Sequence, residues 1–242
     1  MKISTRLSYK TTSRALMIIG LATGSLLFNS CKKKETETTV ISGLAIVNAS
    51  PTPATYNVYL NGSTTRLNSA ALPFGGTTGS NYYSLATGSN TIKFTSASSV
   101  ESVLTKTITT NANTAYSYYL IGNTSANLDG LLVTDDLSAT SADKAFIRFI
   151  NLSPDAASLD LSVTASTTSL IADKSYKSAS AFIQVDPKTY SFDIKDKATG
   201  AVKTTLKDVV ITAGKNYTII ARGMNNPTGL EVAFGGQVIT NR

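Results

Sequence analysis

Apolar residues recur at every second position in several short stretches of this chain. In YSFDIKD (190–196), Tyr190, Phe192 and Ile194 share one face of an extended segment, and Ser191, Asp193 and Lys195 share the other. SLDLSVT (158–164) turns Leu159, Leu161 and Val163 inward in the same way. Tyr56, Val58 and Leu60 alternate ahead of Asn61-Gly62, a hairpin turn signal. Further strands are expected over 43–48, 81–86, 90–95, 103–109, 115–121 and 128–134, with counterparts in the second half of the chain. No amphipathic helix is expected after residue 40. About seven short strands in about 100 residues, separated by turn residues, predict a β-sandwich.

The pattern occurs twice. AIVNASP (45–51) matches RFINLSP (148–154), and YSYYLIG (116–122) matches YTIIARG (217–223), at offsets of 103 and 101 residues. Two landmarks in one order at nearly one spacing indicate a duplication. The polar, aperiodic DDLSATSADK (135–144) marks the boundary. The fold class predicted is all-β: two tandem immunoglobulin-like antiparallel β-sandwich domains, 41–138 and 143–242. Asn48, Ser50 and Pro51 recur as Asn151, Ser153 and Pro154. Proline ends strand pairing, and asparagine and serine bond nearby backbone, so a structural motif at the exit of the first strand is expected. The functional alternative is a polar binding cluster at one end of the sandwich. Asp155 and Asp160 follow in the second copy only, where the first has Thr52 and Asn57. VVITAGKNYTI (209–219) has the sequence of a tyrosine corner, which gives Tyr217 and its partner Tyr116 structural roles.

Residues 1–14 carry Lys2, Arg6, Lys10 and Arg14 and no acid, and 15–28 are uncharged and largely apolar. That run is shorter than the roughly 20 residues a spanning helix needs, and its flanks are those of a signal peptide. Cys31, the one cysteine in 242 residues, follows. The pattern resembles a bacterial lipoprotein signal of Bacteroidetes type, although Phe28 stands where leucine is usual. The resemblance implies removal of residues 1–30, lipidation of Cys31, and a flexible tether over 31–40. The alternative is an ordinary secretory signal beside a free thiol. A lipid anchor places the protein at the outer membrane, on the cell surface or the periplasmic face. With one cysteine, the fold rests on its apolar core.

Charge and composition narrow the chemistry. The net +7 falls to +3 without the signal, and +1 of that lies in the tether, so the folded part is near neutral. A nucleic-acid partner, which calls for a dense basic face, is not expected. The chain has no histidine, which removes Ser-His-Asp and Cys-His arrangements and the usual zinc sites. No catalytic residue, metal ligand or cofactor is assigned. Asp135 and Asp136 sit by the linker, and Asp193 and Asp196 are expected in solvent at a strand end. Residues 40–139 hold seven tyrosines but only three cations and four acids. A neutral surface rich in tyrosine and hydroxyls suits proteins or uncharged glycans, with Tyr59, Tyr82, Tyr83 and Tyr119 as the candidate ligand surface. Burial in alternating strands is the competing reading.

AFIRFINLSPDAASLDLSV (145–163) resembles the start of the domain-of-unknown-function 4397 family, through Ser153, Pro154, Asp155 and Asp160. Histidine is common in that family where Asn48 and Asn151 stand here. The resemblance extends to both copies and implies a sandwich fold and an envelope location, without an established activity. The expectation is a lipid-anchored, non-catalytic envelope protein that binds, adheres or scaffolds through a protein or glycan partner. A glycan-binding accessory of a polysaccharide-uptake system is the alternative, and a hydrolase with an unrecognised carboxylate site the third reading.

Overall fold

Strands that face a core on one side and water on the other alternate, and strands covered on both sides do not. Both kinds occur here. The computed structural model describes residues 41–78 and 82–242. The expected signal peptide, Cys31 and the expected tether lie outside them.

The first half contains β1 (Ile41–Asn48), β2 (Tyr56–Leu60), β3 (Tyr83–Ala86), β4 (Gly88–Ser96), β5 (Ser102–Thr110), β6 (Ala115–Ile121) and β7 (Asp129–Asp135). The second contains β8 (Ala145–Asn151), β9 (Leu159–Val163), β10 (Ser169–Lys174), β11 (Ile183–Val185), β12 (Lys188–Asp196), β13 (Val202–Ile211), β14 (Asn216–Arg222) and β15 (Gly235–Thr240). The described chain is thus all-β, apart from a single 3-10 turn at Ser125–Asn127.

Each half pairs two sheets. In the first, an inner sheet β3-β1-β6-β7 faces an outer sheet β2-β4-β5; in the second, β11-β8-β14-β15 faces β10-β9-β12-β13. Leu44, Ile46, Val58, Ile92, Phe94 and Leu120 fill the first core. Ile147, Phe149, Leu161, Phe192, Ile194 and Ile219 fill the second. A large aliphatic or aromatic side chain buried in this way contributes about 1.5–3 kcal/mol. The sheets are not purely antiparallel as expected: β1 pairs with β6, and β8 with β14, in parallel. The reason is the route of the chain. It leaves β1 for β2 in the outer sheet, returns to the inner-sheet edge at β3, and runs through β4 and β5 in the outer sheet before β6, so β6 is laid beside β1 in the same direction without a direct connection.

The inner strands are buried on both faces. All seven residues of β8 are buried, as are six of seven in both β6 and β14. Their second faces meet each other. Val47, Ala49, Tyr119 and Ile121 from the first half join Ile150, Leu152 and Ile220 from the second in a third apolar cluster. The contact is self-complementary. Strand register makes Ala45 equivalent to Arg148, Ser117 to Thr218, Asp135 to Asn241, and Tyr82 to Phe182. Val47 and Ile150, Ala49 and Leu152, and Tyr119 and Ile220 are likewise equivalent and share the cluster. Such reciprocal pairing is the mark of a two-fold, isologous interface, here made within one chain.

One buried ion pair interrupts this apolar contact. Arg148 pairs with Asp135, with side-chain exposures of 2% and 0%. Arg148 Nε also donates to Thr218 Oγ1 at 2.8 Å and NH1 to Thr134 O at 3.1 Å. The Phe182 ring lies 4.7 Å from the guanidinium carbon. Asp135 Oδ2 accepts from Tyr82 Oη at 2.5 Å, Ser117 Oγ at 2.6 Å and Asn241 Nδ2 at 3.4 Å. A buried charge pair is tolerable when its remaining hydrogen-bonding capacity is met, as it is here.

Candidate functional site

The duplicated Asn-x-Ser-Pro segments leave β1 and β8 beside the turns that follow β6 and β14. Asn48 Oδ1 accepts from the Ser50 N–H at 3.1 Å, and Asn151 Oδ1 from the Ser153 N–H at 3.1 Å. Asn48 Nδ2 donates to Leu72 O at 3.1 Å and Asn151 Nδ2 to Lys174 O at 3.0 Å. Ser50 Oγ donates to Gly122 O at 2.6 Å, and Ser153 Oγ to Gly223 O at 2.7 Å. Both glycines require their left-handed backbone, with φ of +97° and +87°, and a Cβ would fall 2.2 Å from Asn127 O and 2.3 Å from Ala233 O. Asn48, Ser50, Pro51, Asn151 and Ser153 are buried, so the motif holds backbone; Pro154 is half-buried at its rim. Tyr116 Oη accepts from the Asn111 N–H at 3.0 Å, and Tyr217 Oη from the Thr212 N–H at 3.1 Å.

At this end a cleft of about 380 Å³ separates the halves. The turn after β6 supplies Asn123, Asn127 and, at the start of β7, Asp129; the second half supplies Asp155, Tyr176 and Lys177. Asn127 Oδ1 accepts from the N–H groups of Asn123 and Thr124 at 2.9 and 2.8 Å, and its Nδ2 donates to Asn123 Oδ1 at 2.6 Å. The two amides are thereby fixed, and among the described residues the Asn123 NH2 group has no partner. Asp129 accepts from Lys106 Nζ at 2.8 Å and from Lys177 Nζ, across the interface, at 3.0 Å. The Lys106 ammonium, aided by Lys177, holds its carboxyl well below the usual carboxylate range. The Asp155 oxygens accept from the Asn225 and Asn226 N–H groups at 2.7 Å each. Burial pushes the Tyr176 phenol up to about 12, with the Asp129 charge adding to it. Both carboxylates are therefore compensated, and the lining is polar without a net field.

The equivalent place on the other side of the interface is closed. Seven residues join β6 to β7, but twelve join β14 to β15. The longer turn reaches the first half, where the Val232 N–H donates to Pro51 O at 2.8 Å. Beside it Arg222 lies 4.0 Å over the Phe74 ring, and Gln237 Nε2 donates to Gly75 O at 2.9 Å.

The four tyrosines expected to form a ligand surface do not come together. Tyr119 is a correction: it has no exposed surface, because β6 is covered by its own core on one side and the second half on the other. The Tyr82 hydroxyl is spent on Asp135 at the interface, and burial, with that charge, raises its pKa. Tyr83 points to the opposite side of β3 and donates to Thr78 O at 3.2 Å, next to a hollow of about 320 Å³. Tyr59 lies on the outer sheet with Lys93 Nζ 4.7 Å from its ring centroid, at an open hollow of about 620 Å³. Asp193 is also corrected: it is buried, accepting from Thr164 Oγ1 at 2.8 Å and Thr205 Oγ1 at 2.7 Å, because it sits on an inner strand of its sheet with Ser162 of β9 and Thr205 of β13 as its cross-strand neighbours. Asp196 does lie in an exposed turn, accepting from the Ala198 and Thr199 N–H groups at 3.0 Å.

Sequence reasoning missed the ion pair and the cleft. An arginine inside the apolar run AFIRFIN was the signal for the first. Nothing local marks the second, whose residues come from positions 123–129, 155 and 176–177.

Among solved structures the chain is similar to CBMbc, a family CBM26 module from Eubacterium rectale Amy13K crystallised with maltoheptaose. The identity is 11% over 81% of this chain and 95% of that one, with a TM-score of 0.23. No curated protein matches the chain. Residues 42–162, half of the sequence, match the family described as Domain of unknown function (DUF4397), spanning the first half with its cleft-forming turn and the second Asn-x-Ser-Pro segment, and the chain belongs to that family.

Proposed function

We propose that this is a lipid-anchored envelope protein with a non-catalytic role, binding a partner as an adhesin or scaffold. Cys31 is the attachment point, residues 31–40 the tether, and two immunoglobulin-like domains, 41–138 and 143–242, the displayed body. One observation supports this reading above the others: the halves share an apolar interface and a buried ion pair, so the chain offers a fixed surface spanning both. A fixed surface binds without the ordering cost a flexible pair of domains would carry. The carboxylates a hydrolase would need are engaged in this framework, Asp135 with Arg148, Asp193 with threonines, and Asp155 with backbone. A glycan-binding accessory of a polysaccharide-uptake system is the second reading, favoured by the amide- and hydroxyl-lined cleft.

Two measurements test the proposal. Fatty-acid labelling in cells should mark the wild-type chain and leave Cys31→Ala unlabelled and released from membranes; a labelled Cys31→Ala chain refutes the anchor. A photo-crosslinking residue at Val100, 81% exposed on the first half, should capture one dominant envelope neighbour. A diffuse set of products at every exposed position tried would sink adhesion and scaffolding.

A further inference from the structure

We infer that the cleft between the halves is a binding site for a neutral oligosaccharide, with the Asn123 amide, the Lys177 ammonium and the Tyr176 side chain as its contacts. The site presupposes a non-catalytic binding role and narrows it to one ligand class.

Three features select that class. The first is charge. Asp129 is held between two lysines and Asp155 between two backbone N–H groups. An anion entering the cleft would face both carboxylates, and a cation would displace or oppose Lys177. A ligand without charge meets neither penalty. The second is the fixed, two-way hydrogen bonding. Asn127 clamps Asn123 through its N–H and its side-chain carbonyl, leaving the NH2 group as a positioned donor. Lys177 offers further donors, and the carboxylate oxygens of Asp129 and Asp155 can accept. Hydroxyl groups on adjacent ring carbons donate and accept at close spacing, which suits such a lining. The third is shape. At about 380 Å³ the cleft lies in the range of small-ligand sites, roughly 300–1,000 Å³, and is open rather than enclosed, so that a longer chain could pass through it. Tyr176, half-buried, presents an aromatic ring with a polar tip beside these groups.

The duplication supplies an internal comparison. The equivalent place across the interface is occupied by the protein itself, through Val232 on Pro51 and Arg222 on Phe74. The same interface therefore has one side filled by a twelve-residue turn and one left open by a seven-residue turn.

The test is calorimetric titration of the full chain, purified in detergent, with cellohexaose, xylohexaose, mannohexaose and maltohexaose. At least one should bind. Asn123→Ala should weaken that binding about tenfold, the loss of one well-placed hydrogen bond. Tyr176→Phe, which keeps the packing and removes the hydroxyl, should weaken it about threefold or more. Lys207→Ala, on β13 and away from the cleft, should leave it unchanged. Raising sodium chloride from about 50 to 500 mM should alter affinity less than about twofold, since no net charge is paired. The inference is overturned if none of the four sugars binds at millimolar concentration, if both cleft variants bind as the wild type does, or if an acidic hexauronate binds better than the neutral sugars. A protein neighbour crosslinked through position 123 overturns it too. In each case a defined neighbour captured from Val100 would leave the broader binding role standing, and loss of both results would remove it.

Discussion

Replacing Arg148 by methionine separates the buried ion pair from the apolar packing around it. The substitution keeps the length and most of the volume of the side chain and removes its three polar contacts, to Asp135, Thr218 and Thr134. Removing one member of a buried pair typically costs about 3–5 kcal/mol, because the other charge stays behind without compensation. Asp135 would retain Tyr82, Ser117 and Asn241 as donors. The lower end, about 3 kcal/mol, is therefore expected. Asp135→Asn should be similarly harmful, since it strands the guanidinium. The double variant Arg148→Met/Asp135→Asn should return to within about 1 kcal/mol of wild type, giving a large coupling energy. Equilibrium urea unfolding at neutral pH reads all four proteins, with tyrosine fluorescence as the probe, the chain having no tryptophan. The single variants should also split the transition, as the halves begin to unfold separately. A loss below about 1 kcal/mol in Arg148→Met, or a double variant as unstable as the sum of its singles, would refute the view that this pair governs the interface.

Gly130→Ala should destabilise more than Gly236→Ala at the equivalent position, by about 2–3 kcal/mol. An added Cβ at Gly130 lies 1.7 Å from the hydroxyl of Tyr118, whose buried ring is stacked on Phe94 at 5.9 Å; at Gly236 it meets side-chain methyl groups at 3.0 Å. Thermal unfolding compares them, and an equal or reversed order would show that Tyr118 has room to move. Ser50→Ala and Ser153→Ala should each cost about 1–3 kcal/mol by leaving Gly122 O and Gly223 O without their donors, with amide exchange accelerated in the adjoining turns. Unchanged exchange would place the stability of those turns elsewhere. Asp129 titrates below its ordinary range, so its pairing stabilises the native state above about pH 4 and is lost as pH falls through the depressed native value. Because the side chain is 36% exposed, the effect should stay under about 1 kcal/mol. A carboxyl carbon-13 titration of Asp129 giving an ordinary midpoint near 4 would contradict the bidentate arrangement.

The outer-sheet strands were legible because each turns apolar residues to the core on one side and polar residues away from it on the other. YNVYL before Asn61-Gly62 and YSFDIKD both alternate, and both are strands at those positions. The inner strands read differently. Apart from Arg148, AFIRFIN and YSYYLI carry apolar or uncharged groups on both faces, and their continuous burial follows from a second layer that local pattern does not encode. The same blindness explains Tyr119. On a strand covered by one sheet its side would be solvent-facing and suited to a ligand; the second half turns it into core. Asp135 read as the start of a linker because it stands beside Asp136, yet one is buried against Arg148 and the other is exposed. The cleft depends on the relative placement of two halves, which no spacing in the sequence reports.

The position of the ion pair near the two-fold relation of the halves determines what can assemble with what. If two copies of the first half met through this same face, Asp135 of one would stand where Asn241 now stands, 3.4 Å from the other Asp135, with Ala45 in place of Arg148. Two carboxylates would share a dry site with no cation between them. If two copies of the second half met, each Arg148 would find an asparagine and no counter-charge. Only unlike halves close the circuit. A duplicated chain carries the permanent risk that identical modules from neighbouring molecules pair in place of the intended ones. Here a single divergence at each of two equivalent positions makes every such mispairing electrostatically unsound, so that each half accepts the other and rejects itself.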